Sequence, residues 1–366
     1  MKFTCPRKEF VEAVQLATTA SANRSPNAIL QNLKLAAGDS TVRILGCDGE
    51  IWVERTVSAF VEETGAVCLQ ATLLKDWVSS LIDGDIELKT QDQGVQLTHS
   101  SSEFKMRMLD ADDFPEPPDY GGEGELTLTF GDLKEAIDAV IYAVSPESHR
   151  AVLNGVLFNY DGTVLTMVAT DTHRLAVRRI KKEGIGSNIN AVVPAKALRA
   201  LKTMPLADDA ELVLRFGVGR MGVDTGNCRM VAQLLMGTFP NWERVVPSES
   251  TREWSMEVDQ LFQKVRRALI LAKDNNDRLE FKGTNDRVTI IAQSEGRGLA
   301  KEEVEMHSNN GDINIAFNGK YVNDLLQVLD GPGIRVQMTE NNRPAVFRPA
   351  DDDQSFFCVI MPMALT

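Results

Sequence analysis

The sequence lacks the long apolar segments that place a protein in or across a membrane. No apolar run approaches the roughly 20 residues that a membrane-spanning helix needs. The first residues, Met1 to Glu9, are polar and do not form the apolar segment of a signal peptide. We therefore expect a cytoplasmic protein that has no membrane partner.

Cysteine and histidine are scarce and poorly spaced for metal or disulfide chemistry. The five cysteines are odd in number and contain no Cys-x-x-Cys pair, so neither a disulfide framework nor a structural zinc site is expected. The four histidines are scattered and form no ligand pair. The chain also lacks a Gly-x-Ser-x-Gly motif, a phosphate-binding glycine loop and a His-x-x-x-His pair. We expect neither a metal nor a cofactor.

Basic residues are outnumbered by acidic ones. With 39 lysines and arginines against 52 aspartates and glutamates, the formal charge is −13, which argues against a protein that coats nucleic acid over its whole surface. A basic patch on one face of an acidic body stays possible.

The sequence does contain one pattern that occurs three times. Leu33, Val156 and Leu279 lie 123 positions apart, in paired alternating segments that predict hairpins. A helix-period segment precedes each hairpin, beginning at Phe10, Leu133 and Leu261, and a second helix follows near Leu74, Leu198 and Val322. Each copy closes on a proline, and linkers rich in Pro, Gly or polar residues separate the copies. The period is too long for a solenoid, so we predict an α+β protein of three domains, 1–121, 122–249 and 250–366.

One polar segment, Thr170 to Arg174, interrupts an apolar stretch that runs from Met167 to Val177. The whole stretch suggests a strand that passes from buried to exposed and back. Asp171 and His173 could form half of a catalytic site. However, the first copy has Asp48 and Glu50 at these positions and the third has Ser294 and Gly296, so a function located here belongs to the second domain alone.

Four motifs together resemble the β subunit of bacterial DNA polymerase III, the sliding-clamp family, over the full length of the chain. They are Ala169-Thr-Asp-Thr-His-Arg-Leu-Ala176, Val192-Val-Pro-Ala-Lys196, Gly237-Thr-Phe-Pro-Asn-Trp-Glu-Arg-Val245 and Val359-Ile-Met-Pro-Met363. The resemblance implies three similar domains per chain and a head-to-tail homodimer that closes into a six-domain ring, with helices inside and sheets outside. It implies a non-catalytic processivity factor for duplex DNA, and as partners the replicative polymerase subunit, the clamp loader, translesion polymerases and repair proteins.

A ring around DNA predicts basic residues on inner helices, and two predicted helices carry them beside an apolar face. Lys196, Arg199 and Lys202 follow one helix, and Arg266 and Arg267 follow another. Lys75 lies on a third helix, and the resemblance adds Arg24 and Arg150 on loops after the first helices of two domains. Such binding would be sequence-independent and would weaken with salt.

The resemblance also implies a dimer interface and a groove that receives short partner peptides. The interface residues are Ile270 and Leu271 in the third domain and Phe104 and Met106 in the first. The groove residues are Leu153, Thr170, Thr172, His173, Arg174, Leu175, Pro240, Arg244, Val245, Val359, Met361, Pro362 and Met363. Arg174 and Arg244 would hold peptide carbonyls or an acidic side chain. Two alternatives stay open: a metal-dependent nucleic-acid-processing enzyme that uses Asp171 and His173, and an interaction scaffold that never encircles DNA.

Overall fold

The computed structural model describes residues 1–22, 24–92, 94–147, 151–182, 188–284, 286–329, 331–351 and 354–365. Each repeat begins with a short strand that leads into the first of two helices. The first repeat contains α1 (Arg7–Thr18), α2 (Ala71–Ser80), β1 (Lys2–Pro6), β2 (Asn32–Gly38), β3 (Thr41–Cys47), β4 (Ile51–Ser58), β5 (Phe60–Glu63), β6 (Gly65–Gln70), β7 (Asp85–Gln91), β8 (Gly94–His99) and β9 (Ser102–Arg107). Within the described residues, no helix is long and apolar enough to cross a membrane.

The second and third repeats follow the same order of elements. The second contains α3 (Phe130–Ile141), α4 (Ala195–Lys202), β10 (Gly124–Thr129), β11 (Gly155–Tyr160), β12 (Val164–Thr170), β13 (Arg174–Lys181), β14 (Ile189–Pro194), β15 (Glu211–Gly217), β16 (Arg220–Asp224) and β17 (Cys228–Gln233). The third contains α5 (Val258–Ala272), α6 (Gly319–Leu326), β18 (Arg252–Glu257), β19 (Arg278–Gly283), β20 (Arg287–Ser294), β21 (Gly298–Glu305), β22 (His307–Asn309), β23 (Ile313–Asn318), β24 (Gly333–Met338), β25 (Ala345–Pro349) and β26 (Phe356–Ile360). The predicted helices and hairpins are confirmed in all three copies.

The helices form where the apolar period predicts because that face is buried. In α1, Phe10, Val14 and Ala17 are each 0% exposed and pack in the core of the first repeat. Pro6 immediately precedes α1, and Pro194 precedes α4; both are extended residues at which a helix can begin. The side chain of Asn318 caps α6 by accepting hydrogen bonds from the backbone N–H groups of Lys320 and Tyr321, at 2.9 and 3.3 Å.

The chain folds into two compact units by the density of its contacts, each described here by itself. The first unit comprises Met1–Asp132 and Val193–Leu235, and the second comprises Leu133–Val192 and Met236–Thr366. The first unit holds a five-stranded sheet, β5-β1-β7-β8-β9, and an eight-stranded sheet, β10-β15-β16-β17-β4-β3-β2-β6. The second holds a nine-stranded sheet, β14-β11-β12-β13-β26-β25-β24-β18-β22, and a four-stranded sheet, β21-β20-β19-β23.

Both large sheets join strands of consecutive repeats by the same antiparallel pairing. In the first unit β4 of the first repeat pairs with β17 of the second, and in the second unit β13 of the second repeat pairs with β26 of the third. The third strand of one repeat thus pairs with the last strand of the next. This rule leaves β9 and β21 at the edges of the two smaller sheets.

The prediction of a single strand from Met167 to Val177 was wrong. The segment is a hairpin, in which β12 ends at Thr170 and β13 begins at Arg174. The physical reason is local turn chemistry. Asp171 Oδ1 accepts hydrogen bonds from the backbone N–H groups of His173 and Arg174, and Thr172 has a φ of +77°.

Candidate functional site

A small apolar groove lies beside the turn between β12 and β13, within the second unit. The pairing of β13 with β26 places Leu175 opposite Val359, and the backbone N–H of Met361 donates to the carbonyl of His173 at 2.9 Å. A 3₁₀ turn, Trp242–Val245, supplies further lining residues. The cavity measures about 150 Å³ and is lined by Thr170, Thr172, His173, Arg174, Leu175, Pro240, Asn241, Trp242, Val245, Val359 and Met361.

The groove combines a fixed apolar floor with an exposed polar wall. Leu175 and Val359 are 3% and 2% exposed, so sheet packing holds both side chains in place. Thr172 and His173 are exposed, and Val245 keeps 39% of its surface. An apolar cavity with a few polar groups at its rim is suited to binding a short apolar segment.

Asp171 serves the turn and has no capacity left for catalysis. Its Oδ1 accepts from the backbone N–H groups of His173 and Arg174 at 3.0 and 2.9 Å, and its Oδ2 accepts from Arg174 Nε at 3.0 Å. In the part of the chain that the structure describes, no group of three or more His, Cys, Asp or Glu side chains could hold a metal ion. These contacts speak against the enzyme hypothesis.

Arg174 is engaged inside the protein, contrary to the prediction that it holds a peptide. Its guanidinium donates to Asp324 Oδ2 at 2.7 Å and to the carbonyl of Tyr142, and it lies over the rings of Tyr321 and Tyr142. Burial lowers the pKa of Arg174, but the bonds to Asp324 and Asp171 outweigh that effect, so its pKa is raised. With 9% of its side chain exposed, Arg174 supports the groove wall from behind.

Four other predicted groove residues lie outside the cavity lining. Leu153 is 6% exposed, and Arg244 is exposed on the 3₁₀ turn. Pro362 and Met363 follow the lining residue Met361, and the backbone N–H of Met363 donates to Ala316 at 2.7 Å. These last contacts hold the C-terminal segment beside the groove.

Sequence reasoning missed two lining residues, Asn241 and Trp242. Both lie in the motif that runs from Gly237 to Val245, which was used only as evidence of resemblance. Trp242 packs near Phe357, with ring centroids 6.5 Å apart. An aromatic residue in a Pro- and Asn-containing loop was the signal that could have identified it.

The predicted basic residues differ in how free their charges are. Lys196 forms an ion pair with Asp48, and Arg267 forms a bidentate pair with Glu302 at 2.8 and 2.9 Å. The remaining described residues are exposed or half-buried: Arg24, Lys75, Arg199, Lys202 and Arg266. Arg150 lies outside the described residues. The polar stripe on α4 is confirmed, because Ala197, Leu198 and Leu201 on its other face are buried.

The four predicted interface residues also differ in exposure. Ile270 keeps 74% of its surface, which is unusual for a large apolar side chain on a helix, and Leu271 is half-buried. Phe104 is half-buried and stacks on Trp77, with ring centroids 5.3 Å apart. Met106 is 5% exposed and belongs to the core of the first repeat, so it has little surface to offer a partner.

Comparison with known proteins gives the same result along the whole chain. Profiles of the DNA polymerase III β subunit match in series: the N-terminal domain over residues 1–118, the central domain over 127–241 and the C-terminal domain over 243–364. A β sliding clamp of Staphylococcus aureus is 29% identical over 374 aligned positions, which cover 99% of each chain.

Solved structures of similar proteins cover all of this chain and all of their own. A DNA polymerase III β subunit from Thermotoga maritima superposes with a TM-score of 0.94 at 22% identity. The DNA polymerase sliding clamp from Bacillus subtilis gives 0.91 at 27% identity. A sliding clamp from Pseudomonas aeruginosa, solved bound to griselimycin, also gives 0.91 at 27% identity.

Proposed function

Because the chain belongs to the DNA polymerase III β subunit family, we propose that two copies close into a ring around duplex DNA and that each groove docks a partner protein. The chain is a sliding clamp, a non-catalytic processivity factor of DNA replication. We further propose three domains, 1–121, 122–249 and 250–366, and a cytoplasmic location. The observation that carries the ring is the repeated strand pairing.

The pairing rule identifies which edges would meet. In two junctions the third strand of one repeat pairs with the last strand of the next, as β4–β17 and β13–β26. The third strand of the last repeat is β21, and the last strand of the first repeat is β9; both are edge strands. Pairing β21 of one copy with β9 of another would repeat the junction and would close a two-fold dimer.

The internal junctions also predict the register of that pairing. Glu54 lies opposite Arg229 in the first junction, and Val177 lies opposite Phe357 in the second. Carried through the hairpin registers, the corresponding pair is Lys301 with Glu103 of the other copy. Opposite charges would then face each other across the interface, a favourable cross-strand pair.

A cross-linking experiment tests this register. The variant Glu103→Cys with Lys301→Cys should form a covalent dimer on oxidation, because opposed strand residues have a Cα separation that suits a disulfide. The native cysteines are buried and should not compete. The control Glu103→Cys with Glu305→Cys moves one thiol four positions, about 13 Å along the strand. Equal cross-linking of both variants would contradict the predicted register.

Exposed apolar residues on α5 provide a second test of the dimer. Replacing Ile270 and Leu271 by aspartate should give monomers in analytical ultracentrifugation, because charges cannot be buried unpaired in an interface. Val218→Asp is a matched control, since Val218 is 84% exposed in the β15–β16 hairpin and lies away from β9 and β21. A dimer that persists in the double variant would refute the assignment of these residues.

DNA binding is proposed to involve Arg24, Lys75, Arg150, Lys196, Arg199, Lys202, Arg266 and Arg267. Retention should depend on topology, because phosphate contacts of this kind are sequence-independent and salt-sensitive. A clamp loaded by its loader should stay on nicked circular DNA and should leave the same DNA after linearisation. Equal loss from both substrates would rule out encirclement and would favour a scaffold.

The groove is proposed to receive short apolar segments of the replicative polymerase subunit, the clamp loader, translesion polymerases and repair proteins. Deleting Met361 to Thr366 should abolish binding of the polymerase subunit and of griselimycin, because it removes one wall of the groove, while the dimer remains. A control that deletes only Thr366 keeps every described lining residue. Unchanged binding after the longer deletion would refute the groove.

A further inference from the structure

The turn that forms the exposed wall of the groove has a counterpart in each repeat, and all three contain a residue with positive φ. In the first repeat it is Gly49, with φ +96°, and in the third, where the turn is one residue longer, it is Gly296, with φ +78°. In the second repeat it is Thr172, with φ +77°. The fold therefore requires a left-handed residue here, and two of the three repeats use glycine.

The first and second turns make the same hydrogen bonds, so Thr172 is not required by a different geometry. Asp48 Oδ1 accepts from the second and third backbone N–H groups after it, at 2.9 and 2.8 Å, and Asp171 Oδ1 does the same at 3.0 and 2.9 Å. The N–H of Gly49 donates to Cys47 Sγ at 3.2 Å, and the N–H of Thr172 donates to Thr170 Oγ1 at 3.1 Å.

A threonine is an unfavourable residue for this backbone. Positive φ brings Cβ against the carbonyl oxygen, and a β-branched residue in this region is a true outlier. The other non-glycine residues with positive φ in the described part of the chain are all Asp, Asn or Ser, which tolerate it better. Glycine would be more stable at position 172, so the side chain itself must have a use.

We propose that Thr172 is a specificity-determining residue of the groove, whose side chain contacts the bound peptide segment. This inference rests on the proposed docking function. Thr172 is exposed and lines the cavity beside the apolar floor that Leu175 and Val359 form. Its methyl group extends that floor, and its hydroxyl group offers a hydrogen bond to a peptide amide. The ligand class is a short extended segment with an aliphatic side chain that enters the groove.

Substitution of Thr172 should separate stability from binding. Thr172→Gly should raise the Tm by about 2–4 °C, because it relieves roughly 1 kcal/mol of backbone strain. The same variant should bind the replicative polymerase subunit and griselimycin about tenfold more weakly in isothermal titration calorimetry. Thr172→Ser and Thr172→Val retain the hydroxyl and the methyl groups respectively, so at least one of them should bind more tightly than Thr172→Gly.

The first repeat supplies a matched control. Gly49→Thr introduces the same residue into the same turn, and a side chain at Gly49 meets no atom within 4 Å. It should lower the Tm and leave the affinity for both ligands unchanged; Gly49→Ala serves if the threonine variant does not fold. If the wild type binds and Thr172→Gly binds equally well, Thr172 has no role in recognition. If the wild type binds neither ligand, the docking function itself fails.

Discussion

Arg174 provides the sharpest test of how the groove is built, because sequence and structure assign it different roles. The resemblance implies that its guanidinium holds a bound peptide. In the structure the same group bonds Asp171 on its own turn and Asp324 on α6, and it is 9% exposed. The two roles predict different consequences for the variant Arg174→Ala.

The structural role predicts a large loss of stability. Arg174→Ala would leave the carboxylates of Asp171 and Asp324 without their cation, with side chains only 9% and 22% exposed. Breaking a buried ion pair by removing one partner costs about 3–5 kcal/mol. Asp324→Asn keeps the bond between Arg174 and Asp171 and removes one charge-assisted hydrogen bond, so its cost should be about 1.5–3 kcal/mol.

A double-mutant cycle distinguishes this network from an independent contribution of each residue. Urea unfolding of Arg174→Ala, Asp324→Asn and the double variant should give a coupling energy of about 1–3 kcal/mol, because the two side chains are in direct contact. Hydrogen exchange should locate the loss to α6 and to the turn around Asp171. Arg178→Ala is a useful comparison, since Arg178 also lies on β13 and pairs with Glu135, which is half exposed.

One result would refute this reasoning. If Arg174→Ala unfolds within about 1 kcal/mol of the wild type and yet loses griselimycin binding, Arg174 contacts the ligand and the sequence-based assignment is right. If stability falls and binding weakens only in proportion to the disorder of the turn, Arg174 acts by positioning the wall that contains Thr172 and His173.

Two further predictions concern the first and third repeats. Gly46→Ala should destabilise the first unit by about 1–3 kcal/mol in urea unfolding, because a Cβ there would lie 1.9 Å from the carbonyl oxygen of Ala17 in α1; an unchanged midpoint would show that α1 can move aside. The bond from Arg267 lowers the pKa of Glu302 to about 2, so the stability from this pair is present above the ordinary pKa of 4.5 and is lost as the pH falls towards 2. Carbon-13 NMR should show the Glu302 pKa rising towards 4.5 in Arg267→Gln, and no change would contradict the pairing.

The periodic part of the fold could be predicted from the sequence because burial imposes it. Phe10, Leu133 and Leu261 start helix faces that pack in each core, and their spacing repeats for that reason. The hairpin at Asp171 was harder, because turn chemistry breaks a strand without changing its apolar flanks. The motif Asp-Thr-His-Arg contained the signal, an Asp able to cap its own turn, but it was interpreted as chemistry.

The side-chain partners of the site could not be predicted, because they lie far away in the sequence. Asp324 is 150 positions from Arg174, and no local pattern connects the two. The pairs of Lys196 with Asp48 and of Arg267 with Glu302 likewise join separate elements. A basic residue on the polar face of a helix has the same sequence signature whether it contacts phosphate or a neighbouring carboxylate.

The strand order also bears on why three repeats in one chain should require a second chain. Each junction inside the chain uses the third strand of one repeat and the last strand of the next, so three repeats make two junctions and leave one strand of each kind over. Open edges present unpaired N–H and C=O groups and promote aggregation. A third copy of the junction between β21 and β9 of one chain would demand a ring of three repeats, which is a much tighter circle. Closing on a second chain satisfies both edges at once with six repeats, and the cross-linking of Glu103→Cys to Lys301→Cys between differently tagged copies would establish that the closure is between chains.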